Sequence, residues 1–332
     1  PGPRQPSSTM WLRDLVDGLL ELSVVGSFGR PGYRLRRRLF GWSAPASGSL
    51  EGKTVLITGP TSGLGRATAD AVAALGARVI LVGRDRERLA RVRDGLIAAH
   101  GEDRFPVILA DMSSLSSVRV AVELIRRDEP RLDVLIDNAG AIAPQRRTTA
   151  DGLEQTFATM VAGPFALIAG LLPMLEASGD GRVISVVSGG MYAQMLPLDD
   201  LQFERGAFDG TRAYARAKRA STALTREWAR RHRGGVRFEA MHPGWADTPG
   251  LAKSLPGFYR RLRPWLRSPE EGIDTLTWLA TEPELPRTDG QLWLDRRPRP
   301  YDRVPATRLD AADRRRLWGE VARLTGGVAQ VA

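Results

Sequence analysis

The chain is expected to fold as an α/β protein, a doubly wound parallel sheet covered by helices on both faces in three layers, with an N-terminal helical extension. Three observations predict this. A β-branched and apolar run, Thr54-Val55-Leu56-Ile57, leads directly into Thr58-Gly59-Pro60-Thr61-Ser62-Gly63-Leu64-Gly65. Leu64, Ala67, Thr68, Ala71, Val72 and Leu75 then repeat at helical spacing up to Gly76, and Arg78 to Val82 supplies a second apolar strand. Beyond this unit, short apolar runs keep alternating with helix-periodic stretches, the pattern of strands buried between two helical layers.

The elements follow in order. Pro1 to Thr9 is rich in Pro and Ser, and Trp11, Leu12, Leu15, Leu19 and Leu22 recur at helical spacing within Met10 to Val25. Gly26 to Gly32 breaks that pattern, and Tyr33 to Trp42 is a basic, aromatic segment with Arg34, Arg36, Arg37 and Arg38. No apolar run is expected to reach the roughly twenty residues of a membrane span. Arg13, Asp14, Asp17 and Glu21 also make this stretch a poor secretory signal. Two placements stay open for it: packing on the main domain, or attachment to a membrane surface or partner. Ser43 to Ser49 reads as a linker. Asp85 is expected to cap a charged helix running to Ala99. Strands are expected at Phe105–Ala110, Val134–Ile136, Val183–Val187, Arg237–Met241 and Gln291–Leu294. Helices are expected at Ser113–Arg127, Leu153–Leu175, Tyr214–Arg231, Glu270–Ala280 and Asp310–Leu324. The division is 1–50 as extension and linker, 51–297 as the main domain, and 298–332 as a tail with a helix.

Composition narrows the function classes. There is no cysteine, hence no disulfide framework or thiolate chemistry, and His100, His232 and His242 lack metal-ligand spacing, so no metal site is expected. The net charge of +10 is carried almost wholly by dispersed arginine, the only lysines being Lys53, Lys218 and Lys253. Aromatic residues are not interleaved with it as a base-stacking platform requires, so no nucleic-acid partner is expected.

The chemistry-bearing residues sit at strand ends. Three glycines in the first turn let the backbone bend sharply and lie flat against a pyrophosphate, where a Cβ would intrude. Thr58, Arg84, Asp111, Asn138, Ser188 and Thr248 close successive strands, where open α/β sheets collect their ligands. Tyr214 and Lys218 lie one helical turn apart on one face. Thr58-Gly59 with Gly63-Leu64-Gly65, Asp137-Asn138-Ala139-Gly140, Ser188, Tyr214 with Lys218, and Pro243-Gly244 together resemble the short-chain dehydrogenase/reductase family over roughly Gly52 to Arg297. The runs Ser188–Met191, Phe208–Thr211, Met241–Gly250 and Asp295–Pro298 are similar to one branch of it.

That resemblance implies a Rossmann-type NADP-binding catalytic domain. It implies an oxidoreductase interconverting a carbonyl and an alcohol, with Ser188, Tyr214 and Lys218 as the catalytic set. Ser188 hydrogen-bonds the substrate oxygen, Tyr214 exchanges its proton, and the nicotinamide exchanges the hydride. A phenol of reference pKa about 10 must be lowered by about three units, roughly 4 kcal/mol, with Lys218 and the oxidised nicotinamide as the available cations. The implied cofactor contacts are Gly59, Thr61, Ser62, Gly63, Leu64, Gly65, Arg84, Asp111, Met112, Asn138, Ala139, Gly140, Tyr214, Lys218, Pro243, Gly244 and Thr248. Arg84 favours the 2′-phosphate of NADP(H) over NAD(H), because Asp85 is better placed as a helix cap. The sequence departs from the family at Met160, where an asparagine normally helps hold a proton-relay water. Pro164 has no N–H, so the Met160 carbonyl is freed from its helical bond and is expected to accept that water. Apolar residues in 189–212 and 245–265 (Met191, Tyr192, Met195 and Leu196; Trp245, Leu251, Leu255, Phe258 and Tyr259) either form a lid over a lipophilic substrate or pack on the core. The expected setting is cytoplasmic, with peripheral membrane contact through the N-terminal segment, a small-molecule carbonyl or alcohol as partner, and a homo-oligomer. A rival reading is a cofactor-binding scaffold on the same fold with little turnover.

Overall fold

A computed structural model describes residues 8–232, 234–285 and 290–327. Three helices precede the sheet: α1 (Ser8–Leu22), α2 (Val24–Phe28) and α3 (Arg30–Phe40). The single helix expected over Met10 to Val25 is interrupted at Ser23, whose hydroxyl accepts from the Gly26 N–H and so starts α2. The stretch from Gly26 to Gly32 is helical on both sides of Gly29 instead of irregular, because extended Gly29 closes α2 and opens α3.

The remaining elements are β1 (Thr54–Thr58), α4 (Gly63–Ala74), β2 (Arg78–Gly83), α5 (Arg86–His100), β3 (Val107–Leu109), α6 (Leu115–Asp128), β4 (Val134–Asp137), α7 (Gln155–Phe157), α8 (Gly163–Ala177), β5 (Arg182–Val186), α9 (Gly210–Arg231), β6 (Arg237–Met241), α10 (Pro249–Ser254), α11 (Pro256–Leu262), α12 (Pro269–Thr281), β7 (Leu292–Leu294), β8 (Arg297–Arg299) and α13 (Ala311–Leu324). The sheet order is β3-β2-β1-β4-β5-β6-β7-β8. All neighbours are parallel except β7 and β8. Strand order reverses between β1 and β4, and in such sheets a crevice opens there at the carboxyl ends.

Alternation along β1 feeds both layers. Leu56 enters the core shared with α6, α8, α9 and α13, while Val55 and Ile57 enter the core under α4, α5 and α12. The stretch 155–177 is apolar and long enough to cross a membrane, contrary to expectation, but 72% of its most apolar window is buried inside the protein. It is the central core helix of one layer. In the tail, α13 buries Leu317, Trp318 and Val321, with the Trp318 ring 4.6 Å from that of Trp228.

β8 was not anticipated. It pairs antiparallel with β7 through a hairpin whose central residues, Asp295 and Arg296, have φ of +55° and +51°. Two-residue hairpins want that handedness, and an L side chain there is strained. Asp295 is held in place by two buried arginines. Arg267 binds it through both carboxylate oxygens (2.5 and 2.9 Å), and Arg36 of α3 adds a bond of 2.7 Å. Burial pushes the Asp295 carboxyl up, but the two guanidiniums outweigh this and hold it below its usual range. The same Arg36 binds Asp17 of α1 at 2.6 Å, so the N-terminal helices are anchored on the far edge of the sheet.

Candidate active site

β1 ends at Thr58, whose hydroxyl accepts from the N–H groups of Asn138 and Ala139, both at 3.0 Å. The Asn138 amide donates to the carbonyls of Thr58 (2.9 Å) and Gly59 (3.2 Å), stitching the turn after β4 to the glycine turn after β1. Gly59 and Gly63 have φ of +69° and +52°, open to glycine at little cost. A Cβ on Gly65 would lie 2.2 Å from the Gly59 carbonyl oxygen and 2.5 Å from Asn138 Nδ2. A Cβ on Gly63 would lie 3.2 Å from Thr248 Cβ, which places Thr248 against the same turn. Ser62 is exposed at the N-cap of α4 and makes no side-chain cap bond, so the first N–H groups of the helix stay open to an anion. This cradle fits the pyrophosphate of a dinucleotide.

The other expected cofactor contacts divide. Arg84 is exposed immediately after β2. Asp85 caps α5, accepting from the Arg88 N–H at 3.0 Å, and is paired with the Arg88 guanidinium at 3.3 Å. Asp111 is half-buried and accepts from both the N–H (2.9 Å) and the hydroxyl (2.7 Å) of Ser113. The Met112 side chain is buried in the core beneath α8, leaving only its backbone to border a crevice. Pro243 is half-buried beside Gly244. Gly244 also has a packing constraint: at φ +71°, its missing Cβ makes room for Arg267 Nε (2.4 Å) and the Phe28 carbonyl (2.5 Å). His242 is fully buried, accepts from the Gly244 N–H at 3.0 Å, and is pushed by burial down to about 3, hence neutral.

α9 begins at Gly210, four residues before Tyr214, because Asp209 caps it by accepting from Thr211 (2.8 Å) and Arg212 (3.0 Å). On its inner face the Lys218 ammonium lies 5.9 Å from the centre of the Tyr214 ring and donates to the Val186 carbonyl at 2.8 Å. Ser188, two residues past β5, accepts weakly from the Gly190 N–H at 3.4 Å. Burial raises the Tyr214 phenol, and hydrogen bonding with the Ser188 side chain opposes the rise. Burial lowers Lys218, and Asp137 opposes that. In the protein alone, desolvation outweighs the Ser188 hydrogen bond and the phenol stands above its usual range.

Beneath Lys218 lies the segment that carries Met160. The Gly163 N–H reaches five residues back to the Ala158 carbonyl, forming a π-turn over 158–162 between α7 and α8. Pro164 frees the Met160 carbonyl as expected, but its partner is the Ser221 hydroxyl at 2.8 Å. Ser221 lies one turn beyond Lys218 on the same helix, and its bond takes one of the two acceptor positions of the Met160 carbonyl. The Met160 sulfur sits under Gly140, where a Cβ would be 2.8 Å from it and 3.5 Å from Lys218 Nζ. A cavity of about 20 Å³, the size of one water, adjoins this layer and is lined in part by Asp137, Met160, Pro164, Ser185 and Ser221. Asp137 is buried, and its Oδ1 has no hydrogen-bond partner among the described residues. Burial pushes its carboxyl up to about 6 against the pull of Lys218. Sequence reading gave Asp137 no role; its place one residue before Asn138, opposite Ser185 in the register of β4 and β5, was the available signal.

The two apolar stretches also differ. Met191 and Tyr192 are buried against Phe28, Val187, Ala240, Leu292 and Leu294, so that half packs on the core. Met195 is exposed, and Trp245, Leu251, Leu255, Phe258 and Tyr259 are half-buried, with Trp245 and Phe258 edge to face at 5.1 Å.

The short chain dehydrogenase family profile matches residues 53–256. Bovine (Bos taurus) dehydrogenase/reductase SDR family member 12 is 44% identical over 250 residues, 75% of this chain and 78% of its own length. Human (Homo sapiens) retinol dehydrogenase 13 is 33% identical over 322 residues, 93% of this chain and 95% of its own. The crystal structure of L-sorbose reductase from Gluconobacter frateurii, complexed with NADPH and L-sorbose, superposes with a TM-score of 0.56 at 24% identity, covering 70% of this chain and 91% of that one. With the glycine cradle and the Ser188, Tyr214 and Lys218 set at the strand ends, these matches establish that the chain belongs to the short-chain dehydrogenase/reductase family of oxidoreductases.

Proposed function

We propose that this chain, through residues 51–297, is an NADP(H)-dependent oxidoreductase interconverting a carbonyl and an alcohol on a lipophilic small molecule. The observation that carries this is the meeting of Ser188, Tyr214 and Lys218 beside the glycine cradle. When bound, the cofactor supplies or takes the hydride and, oxidised, a positive charge. Ser188 donates to the carbonyl oxygen and orients it. Tyr214 gives its phenolic proton to that oxygen during reduction and removes it during oxidation. Lys218, fixed on the Val186 carbonyl, stabilises the phenolate. A lipophilic substrate is supported by the half-buried rim of Trp245, Leu251, Leu255 and Phe258 and by a relative named for retinol. The same proposal includes a cytoplasmic setting, a homo-oligomer and peripheral membrane contact through the N-terminal segment. Measured NADPH oxidation over a panel of aldehydes and ketones tests it, with turnover of at least one lipophilic carbonyl expected. Met160 favours a second reading, a cofactor-binding scaffold, which tight NADPH binding without any turnover would select.

Two predictions arise here. Arg84 is the exposed cation at the end of β2, while Asp85 is engaged at the cap of α5. A preference in kcat/KM for NADPH over NADH is expected, with Arg84→Ala reducing it by about tenfold or more through loss of a charge-assisted phosphate contact. A wild-type preference for NADH contradicts the assignment. The second concerns Asp137, whose charge opposes the lowering of Lys218 by burial. Its nearest titratable neighbour is Lys218; the other groups lining its cavity from α8, α9 and β5 are uncharged. In Asp137→Asn, Lys218 loses its proton more readily, the phenolate loses cationic support, and the acid limb of alcohol oxidation moves up by about one pH unit. An unchanged pH profile with only a lower melting temperature would reduce Asp137 to a packing role.

A further inference from the structure

α1 carries its two faces the wrong way round for a helix packed on a globular core. Its acidic residues are ion-paired with the rest of the protein: exposed Asp14 with Arg297 (2.6 Å), buried Asp17 with Arg36 (2.6 Å) and Arg299 (2.8 Å), and half-buried Glu21 with Arg36 (2.6 Å) and Arg303. Its apolar stripe, Trp11, Leu12, Leu15, Leu19 and Leu22, faces out and is 44–82% exposed, continued by exposed Val24 and Val25. Rolling the helix over to bury the leucines would strip Arg36, itself fully buried, of two of its three carboxylate partners. The outward orientation is thus fixed by ion pairs, and a run of large apolar side chains in water needs a cover.

Charge identifies the cover. Against α1, through Arg36, lies α3, whose solvent side exposes Arg37 and Arg38 beside Leu35, with Arg34 exposed but paired to Glu271 (3.1 Å), in a chain of net charge +10. A second copy would bring these like charges against one another, whereas anionic headgroups complement them. At 15 residues, α1 is about 22 Å long, short of a bilayer core and suited to lying in its surface plane. The next helix leads to the reaction centre: Phe28 packs edge-on against His242 (4.5 Å) and Trp245 (5.8 Å), and a Cβ on Gly189 would be 2.6 Å from its ring. Gly189 is the neighbour of Ser188.

We propose that the outward stripe of α1, with the arginines of α3, seats this protein on an anionic lipid bilayer without spanning it, so that its substrate is drawn from the bilayer. The seating stands on the surface just described; the delivery of substrate rests on the carbonyl/alcohol reading above.

Co-sedimentation of the 332-residue chain with phosphatidylcholine vesicles, with and without phosphatidylserine, tests the seating with no substrate present. Binding is expected to be stronger with phosphatidylserine and to weaken with salt. Leu15→Glu/Leu19→Glu is expected to reduce binding roughly tenfold or more while circular dichroism and NADPH binding stay unchanged. Arg37→Glu/Arg38→Glu should remove the preference for phosphatidylserine. Equal pelleting of wild type and Leu15→Glu/Leu19→Glu overturns the proposal. So does light scattering that shows a dimer split by that variant, which would make a second copy the cover. If vesicles bind yet leave the KM of a bilayer-dissolved carbonyl unchanged, delivery fails and the seating stands; if no carbonyl turns over at all, only the functional reading fails.

Discussion

Tyr214→Phe is expected to lower kcat for carbonyl reduction by about 10²- to 10⁴-fold while leaving NADPH affinity within about twofold of wild type. The phenyl ring keeps its place on α9, so the nearby Lys218 and the glycine cradle are undisturbed. Only the transferable proton goes. Because burial raises the phenol, the protein favours the neutral, proton-donating form, which suits reduction. Alcohol oxidation needs the phenolate and should run fastest at higher pH, where deprotonation is aided by Lys218 and the charge of the oxidised cofactor. Single-turnover measurements with saturating NADPH separate loss of chemistry from loss of binding. Equal loss of affinity and rate would mean that Tyr214 shapes the fold of the site and transfers no proton.

Asp295→Ala is expected to cost about 3–5 kcal/mol in stability, the range for breaking a buried pair and leaving its partner charged. Here two guanidiniums lose their carboxylate, Arg267 its pair of bonds and Arg36 one of its three acidic partners. Relief of the positive φ at position 295 offsets little, since Ala is also strained there. Denaturant unfolding reads the loss. Hydrogen exchange should show it first in α1, α2 and α3, whose anchor is this cluster. A change below about 1 kcal/mol would show that the cluster is not what holds the N-terminal helices.

The sequence made the doubly wound sheet legible because hydrophobic periodicity is local: Thr54–Thr58, the glycine turn and α4 are contiguous, and each later strand repeats the pattern. Ser188 follows the end of β5 and Tyr214 lies in the first turns of α9, the helix that packs back on β5, so the strand-to-helix connection brings them near one another. What was illegible depends on contacts between distant segments. The stripe of α1 reads either as a core face or as a face for a membrane or partner until Asp14, Asp17 and Glu21 are found ion-paired with arginines of α3 and of the segment from Arg297 to Arg303. Nothing local shows that Gly244 must also lack a Cβ to admit Arg267 and the Phe28 carbonyl, which come from distant segments. Met191 and Tyr192 read equally well as lid or core, since only tertiary packing against Phe28 decides. For the Met160 carbonyl, loss of its helical partner followed from Pro164, but the donor that replaced it, Ser221, is on another helix.

The most direct measurement is mass spectrometry of the alcohol formed from a lipophilic aldehyde with NADPH deuterated at nicotinamide C4. One deuterium at the carbinol carbon, abolished in Tyr214→Phe, is the result expected of a chain that turns a bound dinucleotide into a hydride donor and its own phenol into the proton donor. Cofactor recovered with its label intact after incubation with every carbonyl tested would contradict it.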